Sequence, residues 1–91
     1  MVKGFDDVTG VPVTVRYFAA ARAAAGADSE VITVRPGATV AEVVDGLADR
    51  DVRLATVLSR CCYLCDGIAV RDSVVLQAGD TIDVLPPFAG G

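Results

Sequence analysis

Apolar and polar residues alternate along positions 11–17, and this period of two predicts a β-strand with one buried face. The apolar residues of this segment are Val11, Val13, Val15 and Tyr17. The alanine-rich stretch Ala19–Ala25 favours a short helix, which Gly26 can end. Glu30–Val34 is a second strand candidate, closed by the turn-forming pair Pro36-Gly37. This part of the chain therefore predicts a strand, a short helix and a second strand.

The strongest helix signal begins at Thr39. Thr39 and Glu42 have the spacing of a capping box, in which each side chain accepts a hydrogen bond from the other residue's backbone N–H. Apolar residues then recur at i, i+3, i+4 and i+7, on one side of a helix: Val40, Val43, Val44 and Leu47. We expect Gly46, inside this pattern, to allow a close approach to the sheet. The segment 51–59 that follows has no decisive period.

The second half of the chain consists of short apolar runs separated by turns. The strands expected there are Cys61–Cys65, Ile68–Val70 and Thr81–Leu85. Asp66-Gly67 is a typical hairpin turn, and Val74–Leu76 is a further short apolar piece. Pro86 and Pro87 end the last strand because proline donates no ladder hydrogen bond. The order of elements predicts an α+β fold, with one main helix packed on one face of a mixed sheet.

The length of 91 residues is enough for one hydrophobic core, and 53% of the residues are hydrophobic. We expect residues 1–10 to form a flexible N-terminal extension, because Gly4, Asp6, Asp7 and Gly10 interrupt any period. The folded domain is expected over residues 11–87. Residues 88–91 are expected to form a flexible C-terminal tail.

Composition narrows the possible functions. The chain has no His, so the most frequent general base and metal ligand is missing. The net charge of −4 argues against nucleic-acid binding, which needs a basic surface. We find neither a signal-peptide pattern nor an apolar run long enough to cross a bilayer. A cytoplasmic protein that binds no nucleic acid and no membrane is therefore expected.

The printed sequence ends in Gly90-Gly91. Because neither glycine has a Cβ, this segment can enter a slot too narrow for other residues and present its carboxylate there. Pro86 and Pro87 stiffen the exit from the last strand, and Phe88 offers an apolar anchor before the tip. This layout favours a tail that is presented to a partner protein. The alternative is an end without a role, since chain termini are often poorly ordered.

Three segments, taken with the order of the elements, resemble a known family. They are the opening Val13–Arg22, the turn Ala78–Asp80 and the ending Leu85–Gly91. They resemble the ubiquitin-like β-grasp sulfur carriers, and within that group the chain is most similar to the small subunit of molybdopterin synthase. The resemblance implies a β-grasp fold over residues 11–87, whereas residues 1–10 have no obvious counterpart in the family.

The resemblance also implies a chemical role for Gly91. An E1-like activating enzyme would use ATP to adenylate the Gly91 carboxylate, and sulfur would then replace AMP to give a thiocarboxylate. The sulfur would be donated to cyclic pyranopterin monophosphate in molybdenum cofactor biosynthesis. The residues expected to contact the partner are Pro87, Phe88, Ala89 and Gly90.

The partners implied by the resemblance are the activating enzyme and the large subunit of molybdopterin synthase. Two carriers on a large-subunit dimer would make a heterotetramer. The catalytic residues are expected on the large subunit, so this chain would be a non-catalytic sulfur donor within a sulfurtransferase. It is expected to bind no cofactor and no metal itself.

Three other functions remain open at this point. The same carrier chemistry could serve another acceptor, in thiazole synthesis, cysteine synthesis or tRNA thiolation. The chain could also be a ubiquitin-like modifier that is joined to lysines through Gly91. A third alternative is a redox or electron-transfer module, which would need a metal centre or a thiol couple.

Three cysteines lie close together in the expected third strand: Cys61, Cys62 and Cys65. A zinc site usually takes four ligands, and the chain offers few others. On a strand, Cys62 and Cys65 point to opposite faces, while Cys61 and Cys65 lie about 13 Å apart. That separation is too long for a disulfide. We therefore interpret the cysteines as small side chains that pack in the interior.

Overall fold

The computed structural model describes residues 10–71 and 73–87, and within them a five-stranded sheet carries helices on one face. The strands are β1 (Val11–Tyr17), β2 (Ser29–Val34), β3 (Cys62–Cys65), β4 (Ile68–Ala69) and β5 (Thr81–Leu85). The helices are α1 (Ala19–Ala25), α2 (Val40–Ala48) and α3 (Val52–Leu58). The expected tail 88–91 and positions 1–9 of the expected extension lie outside the described residues, so their predicted flexibility stays a prediction.

The strands lie in the order β2-β1-β5-β3-β4. β1 and β5 pair in parallel at the centre, and the other pairs are antiparallel. This arrangement confirms the predicted α+β fold with a mixed sheet. Because β1 and β5 are parallel, their carboxyl ends meet at the same edge of the sheet, with Tyr17 beside Val84.

The core lies between the sheet and the helices. The alternation in β1 is confirmed, because Val13, Val15 and Tyr17 are all buried. The other buried hydrophobic residues of the core cluster are Ala21, Val40, Val43, Leu47, Leu54, Leu58, Leu76, Ile82 and Val84. Burial raises the pKa of Tyr17 strongly, as does its hydroxyl's hydrogen bond to Glu30 Oε2 at 2.7 Å.

Helix α2 begins at the predicted capping box. The backbone N–H of Glu42 donates to Thr39 Oγ1 at 3.3 Å, and the backbone N–H of Thr39 donates to Glu42 Oε2 at 3.0 Å. Arg35 donates a hydrogen bond of 2.6 Å to Glu42, and this bond is the main cause that lowers the pKa of Glu42. The expectation for Gly46 is wrong: it is exposed, and a Cβ there would meet nothing within 4 Å.

The ambiguous segment 51–59 forms a separate helix, α3. Its N-cap is Asp51, whose carboxylate accepts a hydrogen bond of 2.9 Å from the backbone N–H of Arg53. Leu54 and Leu58 are buried in the core. None of the helices within the described ranges is both long enough and apolar enough to cross a membrane.

Candidate functional site

The base of the tail lies at the end of the central strand β5. Ile82 and Val84 of this strand are buried, as is Pro86, whereas Pro87 is exposed. Neither proline has an N–H to continue the ladder. The chain therefore leaves the sheet after Leu85, beside the carboxyl end of β1, and reaches the surface at Pro87.

The structure describes one of the five predicted site residues, Pro87. Phe88, Ala89, Gly90 and Gly91 lie outside the described residues. What the structure gives is therefore the surface from which the tail starts. The roles assigned to the five residues stay predictions.

Two residues flank the base of the tail, one just after β1 and one on β3. Phe18 follows β1 and is the N-cap of α1, where its carbonyl accepts a hydrogen bond of 3.0 Å from the N–H of Ala21. Cys62 of β3 is the register partner of Leu85 and is exposed.

An ion pair lies on the sheet face that the helices leave uncovered. Arg16 Nε is 3.0 Å from Asp83 Oδ1, although the two atoms are not aligned for a hydrogen bond. The guanidinium of Arg16 also lies 5.3 Å from the centre of the Phe18 ring, within the range of a cation–π contact. These contacts hold Arg16 in place beside the carboxyl ends of β1 and β5.

On the helical face, a groove between α1 and α3 runs up to the base of the tail. A first depression of about 260 Å³ is lined by Ala20, Thr56, Val57, Arg60, Pro86 and Pro87. A second of about 340 Å³ shares Ala20, Thr56 and Val57 and is also lined by Ala23, Val52 and Arg53. We call the two together the α1–α3 groove. Val52 is 80% exposed in it, although it is apolar.

The three cysteines are free thiols in different environments. Cys61 and Cys65 pack against the core, whereas Cys62 is exposed. Burial raises the pKa of Cys65 to about 11, with further contributions from Asp80 and Asp66. Burial also raises the pKa of Cys61. The proposed interior packing is confirmed for Cys61 and Cys65 and is wrong for Cys62.

Among the described residues, one group could offer ligands to a metal ion. Cys65 Sγ and a carboxylate oxygen of Asp66 and of Asp80 lie within 4.8 Å of one another. Each carboxylate already accepts a backbone N–H: Asp66 from Thr81 at 3.2 Å, and Asp80 from Gln77 at 2.8 Å. Structural zinc sites usually take four ligands, so this group is better explained by its role in the two turns.

Comparison with known proteins identifies the family. A model of the ThiS family matches residues 15–91. The chain belongs to the ThiS family. The matched range includes β1 from Val15 onward, every helix described above and the tail that follows β5.

Two relatives of this ThiS-family chain are named molybdopterin synthase sulfur carrier subunit. The protein from Chlamydomonas reinhardtii is 27% identical over 81 residues, which cover 87% of this chain and 98% of the relative. The protein from Arabidopsis thaliana is 28% identical over 86 residues, which cover 94% of this chain and 90% of the relative.

Solved structures show the same fold. The HVO 2177 protein of Haloferax volcanii has a TM-score of 0.81 at 29% identity, covering 91% of this chain and 89% of that one. The putative molybdopterin converting factor subunit 1 of Pyrococcus furiosus has a TM-score of 0.78 at 28% identity, covering 85% of this chain and 98% of that one. SAMP1 of Haloferax volcanii, a small archaeal modifier protein, has a TM-score of 0.77 at 25% identity, covering 88% of this chain and 99% of that one.

A further likeness is to a protein from Helicobacter pylori, solved as a complex of subunits 1 and 2 of molybdopterin-converting factor. It has a TM-score of 0.67 at 23% identity and covers 89% of this chain and 100% of that one. At this identity the likeness shows the fold alone. The predicted ubiquitin-like β-grasp fold is confirmed by these neighbours.

Sequence reasoning missed the α1–α3 groove. Its lining comes from α1, α3 and the two prolines after β5, which are distant in sequence. One signal was present: Val52 and Thr56 are spaced i, i+4, so in a helix they share a face that Leu54 and Leu58 do not occupy. This spacing is informative only if residues 52–58 form a helix, and the sequence did not decide whether they do.

Proposed function

We propose that this ThiS-family chain is the sulfur carrier subunit of a molybdopterin synthase. The observation that carries the proposal is the match to two proteins of that name over most of both chains. The geometry at Pro87 supports it, because the base of the tail is exposed just after the central strand β5 leaves the sheet. A tail with this base can reach a partner while the domain stays folded.

The proposed chemistry takes place at the carboxylate of Gly91. A carboxylate oxygen attacks the α-phosphorus of ATP and releases pyrophosphate, which gives an acyl-adenylate. Hydrosulfide from the sulfur source then attacks the carbonyl carbon, so that a C–S bond forms and the C–O bond to AMP breaks. AMP leaves, and loss of the proton on sulfur gives the thiocarboxylate. Activation is needed because a carboxylate anion resists nucleophiles and has no good leaving group.

The proposed partners are an E1-like enzyme for the activation and a large subunit for the transfer. The large subunit would receive the tail through Pro87, Phe88, Ala89 and Gly90, and its acid–base groups would complete the transfer to cyclic pyranopterin monophosphate. The Helicobacter pylori neighbour, a complex of two subunits, is a fold-level precedent for such an assembly. A heterotetramer is the proposed stoichiometry.

The described side chains favour a donor role over a catalytic one. The chain has no His, and the raised pKa values of Cys61 and Cys65 keep these two thiols protonated near neutral pH. Acid–base groups would therefore come from the partners. ATP would be bound by the activating enzyme and not by this chain.

Mass spectrometry of the intact chain tests the proposal. After incubation with an E1-like activating enzyme, ATP and a sulfur source, we expect the mass of one oxygen-to-sulfur exchange, located by fragmentation at Gly91. Deletion of Gly91 should abolish the exchange, while the matched variant Cys62→Ser should retain it. Sulfur found on Cys62 and never on Gly91 would contradict the mechanism.

A second candidate is a protein modifier, which the likeness to SAMP1 favours. In this case activated Gly91 would form an isopeptide bond with a lysine of a target. Incubation of the thiocarboxylated chain with cyclic pyranopterin monophosphate and a large subunit separates the two functions. Formation of the dithiolene product supports the carrier, whereas adducts that resist reducing agents, without product, support the modifier.

A further inference from the structure

The α1–α3 groove begins where the tail begins. Pro86 and Pro87 line its first depression together with Ala20, Thr56 and Val57. Pro87 is exposed, so the next residue starts from the rim of this depression. The residue that follows in the sequence is Phe88, which has the largest apolar side chain in the segment 88–91.

The length of the tail suits the length of the groove. The four residues 88–91 span at most about 14 Å when fully extended. Arg53, in the second depression, lies four residues before Val57 on α3, which corresponds to about 6 Å along the helix axis. The extended tail is therefore longer than the distance along α3 from Val57, which lines both depressions, to Arg53.

The charges of the groove suit an anionic end. Arg53 and Arg60 line it, and neither side chain pairs with a carboxylate among the described residues. Within the part of the chain that the structure describes, the arginines that pair with carboxylates are Arg16, Arg22, Arg35 and Arg50. Asp51, the acidic residue nearest to Arg53 in sequence, is engaged as the N-cap of α3. The chain has a net charge of −4. Two arginines without a carboxylate partner in the described ranges, beside an apolar surface, therefore make the groove locally positive in a negatively charged protein.

The geometry points to reversible docking of the chain's own tail in the α1–α3 groove. The ring of Phe88 packs on Ala20 and Val57, and the carboxylate of Gly91, in a chain that ends there, pairs with Arg53. Docking buries apolar surface of both the tail and the exposed groove. A partner that needs the tail must then compete with the groove, which shields the terminal group when no partner is bound.

Nuclear magnetic resonance on the unmodified full chain tests this proposal. We expect nuclear Overhauser contacts between the Phe88 ring and the methyl groups of Ala20 and Val57, and restricted motion at the Gly90 and Gly91 amides. In the variant Arg53→Glu, both signals should be lost or fall several-fold. The matched variant Arg71→Glu should leave them unchanged, because Arg71 is exposed and does not line the groove.

Three results would overturn the docking. One is the absence of contacts between Phe88 and the groove in the wild-type chain. Another is equal loss of the signals in Arg53→Glu and Arg71→Glu. The third is contacts that grow with protein concentration, which would show the tail of a second copy. The experiment needs no sulfur and no activating enzyme, so its failure leaves the proposed carrier function standing.

Discussion

At the residue scale, the cysteines show how the face of a strand decides the chemistry of a side chain. Cys62 and Cys65 belong to the same short strand, yet Cys62 is exposed and Cys65 packs against the core. The predicted opposite orientation of the two is therefore confirmed. Exposure, rather than sequence spacing, decides which thiol meets a reagent.

Alkylation with iodoacetamide near neutral pH should modify Cys62 first. Cys65 should react much more slowly, because its pKa is raised to about 11 and only the thiolate is nucleophilic. Its rate should rise as the pH approaches that value, as long as the chain stays folded. Peptide mapping by mass spectrometry over a pH series measures both rates.

Unfolding in urea provides the control for this prediction. Once burial is lost, Cys61 and Cys65 should react at rates similar to that of Cys62. Faster modification of Cys65 than of Cys62 in the folded chain would contradict the assignment of faces.

Gly46 shows what a residue-scale pattern cannot give. Its position within an amphipathic helix led us to expect a close approach to the sheet. The tertiary structure shows otherwise, because the side of α2 that carries Gly46 faces solvent. A glycine signals a close approach only where a neighbouring element is present.

At the element scale, α2 was predictable because its start is encoded locally. Thr39 and Glu42 satisfy each other's backbone N–H over three residues, without help from the rest of the chain. Helix α3 has seven residues and a weaker signal. Its N-cap Asp51 accepts from Arg53 two positions on, so no capping box marks its start.

Replacing Thr39 with Ala should destabilise the protein by about 1 kcal/mol, within the range of about 0.5–2 kcal/mol for the loss of an N-cap side chain. The reason is that the backbone N–H of Glu42 loses its acceptor at Thr39 Oγ1. Urea unfolding measures the change in the free energy of unfolding. The m-value, which is the dependence of this free energy on urea concentration, should stay the same.

The matched control is Thr56→Ala. Thr56 is exposed, and its hydroxyl donates to the carbonyl of Val52 in the preceding turn of α3, so it caps no helix. We expect its change to stay within about 0.5 kcal/mol. An equal loss in both variants would mean that the effect at Thr39 comes from threonine in general and not from the cap.

At the scale of the whole molecule, the central pairing joins strands from opposite ends of the described chain. β1 and β5 are neighbours, although Thr14 and Thr81 are far apart in sequence. The sequence predicted both strands and their order but not their adjacency. Periodicity reports which face is buried and says nothing about which strand lies alongside.

The same limit explains what could be predicted of the site. The diglycine end and its proline-rich approach are contiguous, so the sequence alone indicated them. The α1–α3 groove combines Ala20, Arg53 and Pro87 from three separate segments. Such a surface exists only after the chain has folded, so no local pattern announces it.

Truncation tests the central position of β5. A chain that ends at Pro87 should keep its secondary structure, whereas one that ends at Asp80 should unfold. The shorter chain loses the buried Ile82 and Val84 and leaves the facing edges of β1 and β3 without a partner. Far-UV circular dichroism and urea titration compare both with the full chain. A cooperative transition in the chain that ends at Asp80 would contradict the topology.

The place of β5 also orders events during synthesis. This strand leaves the ribosome after every other described element, yet the sheet cannot close until it slips between β1 and β3. Residues 88–91 emerge later still. In a nascent or misassembled chain, the folded surface around Pro87 has therefore not yet formed. A partner that recognises this surface would bind only chains that have finished folding.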